Sequence, residues 1–376
     1  VYKRQVYAGA GSDIVAGDLA MLDWFALAVD QTVLTSDDSR LDVVSSSLVD
    51  AGEKTLNHIG GQDLIFGEAG DDILIGGTDN DRIDGGSEDD LIFGDNVILE
   101  RTDRHDDYSS MRFQVLPSNK AIYDSSFTGV ADGDGIVGSD VQTTGEAQAA
   151  PNGQYGFWGD FTITLADHTD AIEADNSELF GDDYIAGGAH SDQIFGQLGN
   201  DTLLGDGSIE LEDDDSTTSN VASAIRDDGG ILQVDASEEL DTDGDDYIEG
   251  NGGDDVIFGN LGQDDIIGGS STFFGLDGAE TLRPDGADLL FGGAGLDLDR
   301  NNLGDDSDGS GSIHARDADT IVGDNANIIR IVGLTLDDTQ LLSFNYDNEV
   351  DRGDIRIVPR AVDFIDYTLG LSLIHI

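Results

Sequence analysis

An aspartate recurs at every ninth residue in three stretches of this chain, and that spacing constrains the fold more than any other feature. Asp63, Asp72, Asp81 and Asp90 form the first run, Asp183, Asp192 and Asp201 the second, and Asp246, Asp255 and Asp264 the third, while Asp13, Asp288 and Asp319 head isolated copies. Each of these thirteen has an aliphatic residue two positions later, from Val15 and Ile65 to Leu290 and Ile321, and a glycine four positions later, from Gly17 and Gly67 to Gly292 and Gly323. An amphipathic helix needs apolar residues at a spacing of about 3.6 and tolerates few glycines, so the unit excludes one. It fits a short strand, middle side chain inward and neighbours outward, joined to a tight turn.

Composition supports an ordered, turn-rich chain. Of 376 residues, 79 are acidic and 17 are Lys or Arg, giving a net charge of -62, which excludes nucleic acid as a partner. The acids are 65 Asp and only 14 Glu, and Asp favours turns and hard-cation sites over helix. With 51 Gly and 38% hydrophobic residues the chain is too apolar for an acidic tail. Cysteine is absent, so stability outside a cell would need a device other than disulfides. The longest apolar run, Leu19 to Val29, is broken by Asp23, and no membrane span is expected. The chain has neither initiator Met nor signal peptide and reads as a fragment; its ends, Val1 to Gln5 and Ser372 to Ile376, resemble translated sequencing adapters and carry no structural weight here.

Two units make one coil of eighteen residues, so an Asp and its second neighbour fall on the same edge, one rung or about 4.8 Å apart. Carboxylates at about 5 Å repel by roughly 0.8 kcal/mol per pair even at the dielectric of water. One buried aliphatic per unit, at roughly 1.5 to 3 kcal/mol, does not offset the entropy of ordering nine residues. A cation between rungs reverses the sign of the electrostatics, and carboxylate and carbonyl oxygens without Cys or His select Ca2+ over transition metals. Metal binding then becomes folding free energy.

Runs such as Gly67 to Asp90 resemble the glycine-rich nonapeptide of RTX (repeats-in-toxin) proteins, known as a calcium-binding parallel β-helix repeat. The resemblance implies an all-β chain in which short calcium-binding parallel β-rolls alternate with β-hairpin segments. It also implies several Ca2+ ions, each held between alternate repeats by turn carbonyls and the sixth-position Asp. Carried over residue by residue, the complete pairs are Asp63 with Asp81, Asp72 with Asp90, Asp183 with Asp201, and Asp246 with Asp264, with Asp192 and Asp255 heading half-sites. The fourth-position glycine of the family pattern is replaced by Asp79, Glu88 and His190.

The same reading divides the chain into a roll end over 1–18, a connector over 19–57, repeat tracts over 58–96, 179–207 and 243–325, insertions over 97–178 and 208–242, and a connector over 326–371. Tracts close on a common phrase, Gly17-Asp18, Gly94-Asp95, Gly205-Asp206 and Gly323-Asp324, which suggests a larger module. Arg112 to Pro117 and Arg356 to Pro359 look like related hairpin segments. Strands are expected at Thr32 to Thr35, Leu41 to Ser45, Phe161 to Leu165, Ile231 to Val234 and Ile328 to Val332. Ser270 to Gly286 and Asp299 to Ala318 should loop out from turns.

Other motifs are weaker. Asp132 to Val137 looks like the middle of an EF-hand loop, but Val130 and Val141 stand where its first and last ligands belong. Arg352-Gly353-Asp354 spells an adhesion tripeptide, better read as a strand entry. Trp24, Phe157 and Trp158 read as hairpin core rather than sugar platforms, His190 as an exposed turn, and Glu210 to Asp215 as a solvated loop. No zinc signature, nucleophile elbow or phosphate-binding loop is present, and no enzyme activity is expected.

The chain is therefore expected to be a calcium-dependent structural or adhesive scaffold of a large secreted or cell-surface bacterial protein. Its partners are calcium ions and a surface or matrix receptor the sequence does not identify, with type I secretion implied by the resemblance. The alternatives are an accessory calcium-binding domain of a secreted hydrolase or polysaccharide-modifying enzyme, and a halophile protein whose acidity only retains water; the period of nine argues against the latter.

Overall fold

A computed structural model of the chain describes residues 4–18, 20–23, 42–45, 60–101, 112–115, 161–165, 180–209, 223–226, 232–235, 239–240, 242–275, 285–295, 313–314, 318–334, 339–341, 344–345, 355–358 and 360–365. Thr32 to Thr35, Trp24, Phe157, Trp158, the segment 132–137, Glu210 to Asp215 and the Arg352-Gly353-Asp354 tripeptide lie outside them. Among the described residues there is no helix, and none long and apolar enough to cross a membrane.

The repeats wind into one continuous parallel roll of two seven-stranded sheets. One sheet runs Arg4–Ala10, Asp63–Ala69, Arg82–Ser87, Tyr184–Gly188, Thr202–Asp206, Val256–Phe258, Leu289–Phe291. The other runs Ile14–Ala16, Ile73–Ile75, Leu91–Phe93, Gln193–Leu198, Tyr247–Gly252, Asp265–Ile267, Thr320–Val322. Each coil takes one strand from each. The tracts that the sequence separates are thus neighbours: Ile83 lies in register with Ile185, and Ile92 with Ile194, across an insertion of more than eighty residues. Arg4 and Gln5, set aside above as adapter-like, are the first residues of the first strand and pair with Asp63 and Leu64.

The inward aliphatics form the column that the repeat demands. Val15, Ile65, Leu74, Ile83, Ile92, Ile185, Ile194, Leu203, Ile248, Ile257 and Ile266 are buried in a single file, with Leu290 packed against it. The outward neighbours are not left to solvent. Ile73, Ile75, Leu91, Phe93, Phe195 and Tyr247 are buried beneath a second layer made by insertions, including Val97, Leu99, Ile163, Leu165, Phe273, Phe274 and Ile328. That layer contains an antiparallel sheet of Ala20–Asp23, Asp42–Ser45, Val97–Arg101 and Phe161–Leu165, in which the first connector and the long insertion pair with each other.

A true hairpin joins Ser223–Arg226 to Leu232–Asp235, inside the insertion where one was expected. The two segments read as related hairpins have different surroundings. Phe113–Val115 pairs in parallel with Arg330–Val332, whereas Ile355–Ile357 pairs with Ile313–His314 and Phe344–Asn345. A short resemblance around one Arg does not encode a partner, because strand partners are chosen by the packing of the whole face.

Ser270 to Gly286 does leave the roll at a turn, but its start is no free loop: Ser270, Ser271, Phe273 and Phe274 are buried against the second sheet.

Candidate metal centre

Every nonapeptide turn lies at one of the two edges of the roll, where the chain passes from one sheet to the other. All thirteen repeat aspartates stand there in two rows. One row is Asp63, Asp81, Asp183, Asp201, Asp255 and Asp288; the other is Asp13, Asp72, Asp90, Asp192, Asp246, Asp264 and Asp319. Along each row the backbone N–H of one Asp donates to Oδ1 of the Asp in the next coil. Within tracts Asp63 reaches Asp81 at 2.7 Å, Asp72 reaches Asp90 at 2.8 Å, Asp183 reaches Asp201 at 2.8 Å and Asp246 reaches Asp264 at 2.9 Å. Across insertions the bond is the same: Asp81 to Asp183 at 2.7 Å, Asp90 to Asp192 at 2.7 Å, Asp192 to Asp246 at 2.8 Å and Asp201 to Asp255 at 2.8 Å. Asp13 to Asp72, Asp255 to Asp288 and Asp264 to Asp319, at 2.6, 3.0 and 3.2 Å, complete the rows.

Asp192 and Asp255, expected to head half-sites, therefore each stand between two carboxylates. The sequence hides this because the partners of Asp192 are separated from it by 102 and 54 residues rather than by eighteen. The insertions leave from inside split turns. A Gly-Asp pair such as Gly94-Asp95 begins the turn, and a Gly-x-Asp such as Gly181-Asp182-Asp183 finishes it after the excursion, so the coil closes as if nothing had been inserted. The common closing phrase is thus an exit mark. Its Asp holds the cut turn in place: Asp18 Oδ2 accepts from the Thr78 N–H and hydroxyl, both at 2.9 Å, Asp95 Oδ2 from Leu198 N–H at 3.0 Å, and Asp206 Oδ1 from Gly244 N–H at 3.0 Å.

The second carboxylate oxygen is the chemically telling one. Oδ2 of Asp72, Asp81, Asp90, Asp183, Asp192, Asp201, Asp255, Asp264 and Asp288 is buried and accepts no hydrogen bond. Orphaned carboxylate oxygens are costly to bury unless paired, hydrogen-bonded or coordinated. Each points at the glycine that opens its turn. A Cβ added to Gly76 would meet Asp81 Oδ2 at 2.5 Å together with the carbonyl oxygen of Gly94 one coil on, and one added to Gly17 would meet Asp63 Oδ2 and the Gly76 carbonyl, each at 2.6 Å. The same pairing of Asp Oδ2 with a neighbouring-coil glycine carbonyl recurs at Gly67, Gly85, Gly94, Gly187, Gly196, Gly205, Gly250, Gly259 and Gly268. A side chain at these positions would fill the space where carboxylate and carbonyl oxygens converge. Among the described residues no three acidic or His side chains gather at one point. A cation here would instead take carboxylates from adjacent coils plus main-chain oxygens, a hard all-oxygen donor set that suits Ca2+.

Burial governs the protonation of these groups when no cation balances them. It pushes Asp72 and Asp288 up to about 6, Asp201 to about 8 and Asp90 to about 9, against an ordinary 3.8. Asp81, Asp183, Asp192, Asp246, Asp255 and Asp264 are also driven well up, by burial first and by the neighbouring carboxylates second.

The departures from the repeat pattern keep its backbone. Asp79, Glu88 and His190 adopt φ of 76°, 76° and 81°, the left-handed conformation that glycine would otherwise supply. A row of fifth-position side chains, not foreseen from the sequence, also stitches the coils. Ser191 N–H donates to Asp89 Oδ1 at 3.0 Å, Gln263 N–H to Asp245 Oδ1 at 3.0 Å, Asp254 N–H to Asn200 Oδ1 at 2.9 Å and Ala287 N–H to Asp254 Oδ1 at 2.8 Å. Asp and Asn repeat at that position in the sequence, which was the available signal.

The family model of the RTX calcium-binding nonapeptide repeat, in four copies, matches residues 60–96, 179–207 and 241–272. The three matched tracts are RTX-type repeats. No curated protein and no solved structure matches the chain. The RTX matches run to the exit phrases of the first two tracts but only to residue 272 of the third, so the coils built from Asp13, Asp288 and Asp319 extend the roll beyond them. These are calcium-binding repeats in an all-β, parallel-roll chain.

Outside the turns, one further polar cluster positions the insertions on the RTX roll. Asp265, on the outer face of the second sheet, accepts from Arg330 Nε at 2.6 Å, Arg360 Nε at 2.8 Å and Arg112 Nη2 at 3.4 Å, all buried or nearly so. Burial alone would raise its carboxyl, but the three guanidinium groups outweigh that and hold it below the usual value. Burial lowers Arg112 to about 10; its guanidinium also lies 3.7 Å from the centre of the Tyr247 ring. Neither the insertion that carries Arg112 nor the connector that carries Arg330 and Arg360 advertises this role, because a single Arg on a strand carries no periodicity.

Proposed function

We propose that this chain is a non-enzymatic, calcium-folded β-roll segment that serves as a structural or adhesive scaffold in a large secreted or cell-surface protein. The observation that carries this reading is the pair of carboxylate rows: from Asp72 and Asp81 onward, each Asp accepts through Oδ1 from the backbone N–H of the Asp one coil before it, and the buried Oδ2 oxygens lie beside turn carbonyls. All thirteen repeat aspartates are assigned as ligands, and a bound dication supplies the positive charge that lets adjacent carboxylates stay ionised. The protein itself supplies the spacing, by hydrogen-bonding the coils before any ion is counted.

The link to secretion rests on chemistry as well as on the repeats. Calcium is scarce in cytoplasm and abundant outside, so a chain that closes only with it stays loose before export and stiffens afterwards. The absence of cysteine from the sequence fits a fold stapled by metal rather than disulfides. Circular dichroism in chelator, then in millimolar CaCl2, then in NaCl of matched ionic strength is the test. The reading expects β-sheet signal to appear with CaCl2 alone; full signal in chelator, or equal recovery with NaCl, would overturn it.

A further inference from the structure

The insertion that follows Asp206 leaves the roll from inside a turn, and the two sides of that cut carry facing carboxylates. In an uncut turn such as Gly67 to Asp72, five residues of chain lead from the opening glycine to the repeat Asp. At the cut, Gly205 opens the turn, and the repeat Asp that closes it, Asp246, comes forty residues after Asp206. The covalent chain no longer holds this turn shut, and the entropy of closing so long a loop has to be offset by contacts at its root.

Asp206 stands at the second position of the turn, where the uncut turns of the same edge carry the exposed Glu68, Gly86, Gly188 and Asn260. Its side chain is buried and bends into its own turn, with Oδ1 accepting from the Gly244 N–H at 3.0 Å, two residues before Asp246. The exit aspartates of two other cuts turn away instead, Asp18 onto Thr78 and Asp95 onto Leu198, each in the adjoining coil. The remaining oxygen of Asp206 faces Asp246. Oδ2 of both residues is buried, and no N–H or hydroxyl reaches either atom. Without a cation the two carboxyls lie close enough to share a proton. Burial first, and then the Asp246 and Asp243 carboxylates, push the Asp206 carboxyl well above its ordinary value. Beside them, the Cβ position of Gly205 is bounded by Asp246 Oδ2 and by the Gly259 carbonyl of the next coil.

We propose that Asp206 is a calcium ligand, its Oδ2 joining Asp246 Oδ2 and the Gly259 carbonyl around one ion that fastens the exit of the insertion to its return. This rests on the calcium reading above and adds to it a carboxylate from outside the thirteen repeat aspartates. The ion does at the cut what the peptide chain does in an uncut turn. Calcium affinity follows the number of charged ligands, so two buried carboxylates from one turn make this site stronger than its uncut neighbours.

The test uses the full chain. Asp206→Asn keeps an Oδ1 acceptor for Gly244 and removes the charged ligand. Calcium titration calorimetry should show one ion bound about tenfold or more weakly, with the other ions and the β-sheet dichroism at saturating CaCl2 unchanged. Hydrogen exchange over residues 243–246, slowed by subsaturating CaCl2 in the wild-type chain, should not slow in the variant. Asp84→Asn is the control: it changes a buried carboxylate at the same insertion root that accepts from the Ser208 hydroxyl at 2.5 Å outside the turn, and it should leave the titration as it was. Anomalous diffraction from wild-type crystals grown in CaCl2 checks the site without any substitution, and should place Asp206 Oδ2 about 2.3 to 2.6 Å from an ion. A titration unaltered by Asp206→Asn, or an ion between Asp246 and Asp264 that leaves Asp206 outside its coordination, would overturn the assignment while the calcium reading stands. A wild-type chain that takes up no calcium would instead overturn both.

Discussion

Asp192→Asn separates the hydrogen-bonding role of the ladder from its charge. Asparagine keeps an Oδ1 acceptor for the Asp90 N–H, now at 2.7 Å, and leaves the backbone donation to Asp246 at 2.8 Å untouched. What it removes is one negative charge between two others. At a rung spacing of about 4.8 Å, each neighbouring pair repels by ~0.9 kcal/mol at the dielectric of water and by ~3.5 kcal/mol at an effective value near 20. At neutral pH the metal-free chain relieves part of this by protonation, since burial drives the Asp192 carboxyl well above its ordinary value. Asparagine resembles that protonated form, so the net gain in chelator should be the smaller share, about 1 to 3 kcal/mol. In calcium the sign reverses, because both gaps that Asp192 borders lose a charged ligand. The assay is urea unfolding followed by circular dichroism, run in chelator and in millimolar CaCl2. The midpoint should rise in the first and fall in the second. A fall of similar size in both would mean that the ladder is only a hydrogen-bonding device, and the charge argument would be refuted.

Three other perturbations follow from the same geometry. For pH, the folded carboxyls sit higher, from about 6 for Asp72 to about 9 for Asp90, than their unfolded value of 3.8, so the metal-free roll binds protons more tightly than the unfolded chain. Its stability should therefore be greatest below about pH 4 and be lost as pH rises toward about 9, whereas calcium affinity should rise over that window; unfolding midpoints against pH with and without chelator would disagree with this if both slopes had the same sign. Gly196→Ala places a Cβ against Asp201 Oδ2 and the Gly250 carbonyl, at 2.9 Å from the latter, and should cost about 1 to 3 kcal/mol of thermal stability in CaCl2, while Gly323→Ala should cost almost none. Asp265→Asn removes the carboxylate that Arg112, Arg330 and Arg360 share, leaving Arg330 its longer contact to Asp245 at 3.6 Å, and should cost about 3 to 5 kcal/mol, seen as a lowered thermal midpoint with the calcium stoichiometry unchanged.

The roll was legible because its unit repeats without exception in the residues that matter: an Asp, an aliphatic two later, a glycine four later. Inward packing of Ile65 or Ile257 follows from strand alternation alone. The sites inside a tract were legible too, since eighteen residues is one coil. What the sequence did not disclose was every relation that crosses an insertion. Asp81 faces Asp183 because a split turn restores the register, and nothing in residues 97–178 carries that information locally. The outer layer was obscure for a different reason. Phe93 and Tyr247 are apolar on a face that a solvated roll would leave polar, a signal that something covers them, but the identity of the cover depends on distant strands such as Phe161–Leu165 and on arginines that occur once each.

Anomalous diffraction from crystals grown in CaCl2 tests the account at its centre. Calcium is expected in the gaps between Asp81 and Asp183 and between Asp90 and Asp192, where the long insertion interrupts the chain, at the same occupancy as between Asp63 and Asp81. Ions confined to the uninterrupted tracts, or gaps filled by ordered water alone, would contradict it.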